Sequence, residues 1–171
     1  MGAAVALWPR GAPPLAWIAA DGDEAAVVDH GREIVMKPTM RAYATQLWAQ
    51  HRGFDLGATP AALAADSARA FDCDRKACAP IGPVRPAIAG WWYRKGPPLD
   101  RLEALCRRAD ILVSRADISP GACPGTIVLG PADFARGGAA EVFASSRRWR
   151  ISWAQDARGR RPWTLGDART Q

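Results

Sequence analysis

Between positions 147 and 163 the chain reads RRWRISWAQDARGRRPW, with arginine and tryptophan interleaved. Arg147, Arg148, Arg150, Arg158, Arg160 and Arg161 supply forked cationic groups suited to phosphate, and an exposed Trp could stack on a base. Arg148 to Ala154 also alternates with period two. Trp149, Ile151 and Trp153 fall on one face, with Arg148, Arg150 and Ser152 on the other. That pattern predicts a half-buried strand with its tryptophans in the core and its arginines in solvent or on phosphate. Four cysteines form the second chemical group: Cys73, Cys78, Cys106 and Cys123. An even count permits two disulfides in three pairings. Buried free thiols are the alternative, as is a zinc site, though the C-x4-C of Cys73 and Cys78 has no second close pair after it.

Acid–base chemistry finds little to work with. The two histidines, His30 and His51, are far apart in the chain. His51 is expected on the apolar face of a helix, partly buried and satisfied. Asp110, Asp117 and Asp133 stand alone at predicted strand and helix ends, where a carboxylate usually serves as a cap. Lys+Arg number 23 against 17 Asp+Glu, a net charge of +6 carried almost wholly by Arg, since Lys37, Lys76 and Lys95 are the only lysines. A basic balance suits polyanionic partners, although a GC-rich genome produces the same bias. The chain holds no run approaching the ~20 apolar residues of a membrane span. Its opening, MGAAVALWPRGAPPLAW, lacks a basic n-region and is broken by Pro9, Arg10 and Pro13-Pro14, so an address outside the cytoplasm would have to come from elsewhere.

The elements that must position these groups centre on Leu99 to Ser114. Asp100 with Glu103 reads as a capping-box variant after Pro97-Pro98. Leu99, Leu102, Leu105, Cys106 and Ala109 then mark one helical face. Ile111-Leu112-Val113 follows without polar alternation, as in a strand covered on both faces. The fold class expected is α/β, a mixed sheet with flanking helices. Leu15–Ala19, Ala25–Val28 and Glu33–Met36 read as an antiparallel meander, turned at Asp21-Gly22 and Asp29-His30-Gly31. Thr39 caps a helix with Met40, Tyr43, Leu47, Trp48 and His51 on its core face, ended by Gly53. Gly57 to Ala70 is a weak helix or connector. Pro80, Pro83 and Pro86 make Ala87–Tyr93 an edge strand. Thr126–Leu129 is a buried strand, Pro131–Gly138 a short helix and Ala140–Ala144 a strand. Residues 1–14 are expected to be a poorly ordered extension, 15–165 one domain, and 166–171 a disordered tail.

Four runs carry a family resemblance: CDxxxC at Cys73 to Cys78, LxALCRRADILVS at Leu102 to Ser114, CPGTIVLGPADFARGGAAEVF at Cys123 to Phe143, and WRISWAQDARGRRPW at Trp149 to Trp163. Together they resemble the extreme C-terminal region of ComEC-type DNA-uptake channel proteins, from about Leu15 to Trp163. The resemblance implies the second half of a metallo-β-lactamase-like αββα domain on the periplasmic face of the inner membrane. It also implies a role in competence, the internalisation of DNA in natural transformation. Its partners would be single-stranded or duplex DNA and the membrane-embedded channel portion, with no small-molecule substrate. A periplasmic address implies disulfides, with Cys73–Cys78 and Cys106–Cys123 the pairing to expect.

The chain departs from the family where metal chemistry would sit. Hydrolysis in that fold needs an H-x-H-x-D-H cluster, and neither histidine belongs to one. Ser114-Arg115-Ala116-Asp117 stands where family members carry a His-rich turn. The expectation is therefore a non-catalytic or degenerate domain that binds DNA, with no cofactor in this chain and zinc or manganese only where the complete family domain is present. Two alternatives stand beside it. One is a metal-dependent nuclease whose ligands lie outside this chain; the other is an interaction module whose open sheet edge docks on the channel.

Overall fold

The computed structural model describes residues 12–36, 43–55, 59–146 and 148–159. Its N-terminal meander is β1 (Ala16–Ile18), β2 (Ala25–Asp29) and β3 (Arg32–Met36). The β2–β3 turn uses positive φ at His30 and Gly31, as the tight hairpin requires. These strands do not join the mixed sheet. The late strands β9 (Ala140–Ser145) and β10 (Arg148–Trp153) pair with them instead, giving an antiparallel sheet in the order β10-β9-β1-β2-β3.

The second sheet is the mixed one. Its strands are β4 (Phe71–Cys73), β5 (Ala77–Pro80), β6 (Ile88–Trp91), β7 (Ile111–Ser114) and β8 (Ile127–Leu129), in chain order across the sheet. β4, β5 and β6 run antiparallel, whereas β6, β7 and β8 are parallel. As its apolar run predicts, β7 is buried along its whole length. β6 corrects the edge-strand expectation, being the middle strand and buried throughout. Pro86 lies just before it and so removes no ladder hydrogen bond. The β4–β5 hairpin has no precedent in the sequence reading; the Asp74 carboxylate closes it by accepting from the amides of Lys76 and Ala77 (2.6 and 2.8 Å).

The two sheets face each other. Ile18, Val27 and Val142 of the first pack in one core with Ile88, Ile111 and Val113 of the second. Helices cover both outer faces. α3 (Leu99–Arg108) lays Leu102 and Leu105 on Ala89, Trp91 and Leu112. α1 (Tyr43–Arg52) sets Trp48 and Ala49 on Ala26, with Trp17 and Val28 beside them. The layers are thus helix, sheet, sheet, helix, each amphipathic element burying its apolar side. α2 (Pro60–Ala70), capped by Thr59 and held to Arg32 of β3 through Asp66, links the sheets. At the opposite edge, α4 (Pro131–Gly137) and α5 (Ala154–Arg158) flank β10.

Two helices correct expectations. α1 buries Thr45, Trp48 and Ala49, while Tyr43, Leu47 and His51 are exposed. Glu141 of β9 sets this rotation, accepting from the Trp48 indole (2.7 Å) and from Arg52. α3 begins at Pro98 with no side-chain cap, so Asp100 and Glu103 form no capping box, and Leu99 is exposed. Thr39 and Met40 lie outside the described residues.

Candidate nucleic-acid interface

The β10 alternation is realised in space. Trp149, Ile151 and Trp153 pack against the shared core, while Arg148 and Arg150 are exposed. Trp153 lies edge-on to Phe134 of α4, with centroids 5.7 Å apart, and covers Gly137 so closely that a Cβ there would sit 2.4 Å from its ring. Glycine at 137 is what lets α4 and β10 touch. The Arg148 guanidinium donates across the sandwich edge to the Gly125 carbonyl (3.0 Å). The Arg150 guanidinium lies 4.3 Å from the Phe143 ring centroid, a cation–π stack. Arg158 is exposed in the last turn of α5, where a cation complements the helix C-terminus. Arg147, Arg160 and Arg161, with Pro162 and Trp163, lie outside the described residues.

Most other arginines serve the fold. Arg52 pairs with Glu141, Arg32 and Arg69 with Asp66, Arg85 with Asp110, Arg101 with Asp74, Arg107 with Glu103 and Arg136 with Asp133. Arg148, Arg150 and Arg158 have no carboxylate partner among the described residues. Paired arginines cancel within the molecule; these three present charge outward, as do Arg94 after β6 and Arg108 at the end of α3.

All four cysteines are in disulfides. Cys73–Cys78 bridges the facing residues of the β4–β5 hairpin, and Cys106–Cys123 ties α3 to the turn before β8. Neither free thiols nor a thiolate zinc site is formed. The other donors of a metal centre also stand apart. His30 is in the β2–β3 turn, 94% exposed and 2.8 Å from Asp29, and His51 is exposed on α1. Ser114, fully buried, is spent on its own turn, donating to the Ala116 carbonyl and accepting from the Ala116 amide. Among the described residues no three His, Cys, Asp or Glu groups are placed to hold a metal ion. This donor set does not fit the metal pair of the resembled family, and no hydrolytic step is drawn through it.

The isolated carboxylates do structural work. Asp133 accepts from the Gly130 amide (3.0 Å) and so caps α4. Asp110 accepts from the Ala87 amide and from Arg85, joining the starts of β6 and β7. Partial burial opposes its charge, but the Ala87 amide, the bond and charge of Arg85 and the Trp149 indole together outweigh the burial and hold its pKa below the ordinary value. Asp117 is exposed.

Two acidic features were not legible in the sequence. Asp21 and Asp23, in the β1–β2 turn, share a hydrogen bond. Partial burial, that bond and the charge of Asp21 push Asp23 up to about 6, with Arg115 opposing. Glu33 is fully buried on β3 and neither of its carboxyl oxygens has a hydrogen-bond partner among the described residues. Burial first, then the charge of Glu24, pushes it up to about 8. In REIVM it reads as an ordinary surface position of a strand, because nothing in the local pattern shows that its side of β3 is covered.

No family model, curated protein or solved structure matches this chain.

Proposed function

We propose that this chain is a DNA-handling region of the ComEC type that binds nucleic acid through the β10–α5 edge and does not itself cut it. The observation that carries the reading is the exposure of Arg148 and Arg150 on one face of β10 and of Arg158 on α5, none of them paired with a carboxylate among the described residues. Each can replace a condensed counterion on a phosphate. Two further features support the reading without being specific to it. The helix–sheet–sheet–helix layering has the αββα order of a metallo-β-lactamase-like domain, although this chain supplies all four layers and not the half that the resemblance implies, and the two disulfides suit an oxidising compartment such as the periplasm.

The binding and nuclease readings separate in one titration. Labelled single-stranded and duplex DNA are followed by fluorescence anisotropy over a salt series, with EDTA and then with manganese or zinc. Salt-sensitive binding indifferent to metal, and lost in the R148A/R150A/R158A variant, is the expected result. Shortened label appearing only with metal would overturn the non-catalytic part of the reading. Absence of binding at low salt would overturn the whole.

A further inference from the structure

The geometry points to the form of the partner: we propose that the β10–α5 edge takes duplex DNA through its phosphates, with no base stacking. The inference rests on the DNA-binding reading above and narrows it.

A single-strand platform needs aromatic faces open to the bases. On this edge they are occupied. Trp149 and Trp153 are turned into the core, and Trp153 is wedged between Phe134 and Gly137. Phe143 has its face covered by Arg150. The large exposed aromatics among the described residues, Tyr43 and Tyr93, stand on α1 and after β6, not on β10 or α5.

The cations, in contrast, are held in place. One Arg148 N–H is fixed on the Gly125 carbonyl and the flat of Arg150 is fixed on Phe143, so each fork is oriented before a ligand arrives. Orientation lowers the entropy lost per phosphate contact. Two carboxylates tied to this side of the molecule are already neutralised, Glu141 by Arg52 and Asp110 by Arg85, and Asp156 stands in the first turn of α5. Among the described residues this edge offers oriented guanidinium groups and no open stacking face, so its response follows phosphate density. Duplex DNA presents one charge per about 1.7 Å of axis, twice the density of one of its strands.

The test compares a short mixed-sequence duplex, each of its strands alone, and an oligo-dT of equal length, all with EDTA. The duplex is expected to bind severalfold tighter than either strand, with oligo-dT no tighter than a mixed strand. R148A/R150A should flatten the duplex salt slope by about 1.8, two contacts at about 0.9 each, while R148K/R150K keeps most of it. A single strand that binds as tightly as the duplex, or a clear preference for dT, would overturn the duplex inference and leave DNA binding standing. No binding of any probe would overturn both.

Discussion

Glu33 is the residue whose environment departs furthest from its sequence context. With no exposure and no hydrogen-bond partner among the described residues, its carboxyl is neutral in the fold through neutral pH. Its pKa rises from 4.5 in the ordinary case to about 8, so the native state holds a proton that the unfolded chain releases. Stability from this group is therefore full below about pH 4.5 and falls as pH rises, levelling off above about 8. Urea midpoints at acid, neutral and mildly alkaline pH measure it. Glu33→Gln should remove much of the decline and gain a few kcal/mol at the alkaline end relative to the parent chain. An unchanged pH slope in the variant would contradict a neutral, buried Glu33. The tryptophans of β10 were readable one by one because a strand's period of two assigns each a side. Glu33 has the same period on β3, but no local pattern shows that its side of the strand is covered, and the helix packed on this sheet, α1, is oriented through Glu141 far along the chain.

At the scale of elements, close contacts and covalent ties decide the packing. An alanine at 137 would drive a Cβ into the Trp153 ring. Gly137→Ala is expected to cost about 1–3 kcal/mol and to redshift tryptophan emission as the ring is displaced. Unchanged emission and stability would mean that α4 and β10 do not meet as described. Cys106 and Cys123 are 17 residues apart, so replacing both with serine should remove about 3 kcal/mol, read from the urea midpoint. Opening Cys73–Cys78, only 5 residues apart, should cost less. A larger loss from the shorter loop would show that the hairpin, not the α3 tie, limits stability. The α3–β7 unit is local, so its apolar spacing predicts it directly. The face of α1 is not: Tyr43 and Leu47 are the larger apolar residues, yet small Thr45 and Ala49 allow close approach beside Trp48. Pro86 suggests an edge, yet it stands just outside β6, which is the middle strand.

For the whole molecule, the sequence predicted mixed α/β character but not the division into two sheets. That division depends on β9 and β10 crossing back to β1, a pairing more than a hundred residues apart that no local pattern encodes. The crossing has a structural consequence. It makes β10 the terminal strand of its sheet, with α5 after it, and so puts Arg148 and Arg150 at the rim of the sandwich, the place where the proposed polyanion would lie. Among the described residues no helix is long and apolar enough to cross a membrane.

The central claim is that unpaired arginines at this rim bind DNA phosphates. The most direct measurement is the slope of log affinity against log salt for one duplex, taken for the parent chain and for R148A/R150A/R158A. Three phosphate contacts at about 0.9 each predict a slope shallower by about 2.7 in the variant, with unfolding midpoints matched. Equal slopes in the two proteins would contradict the account.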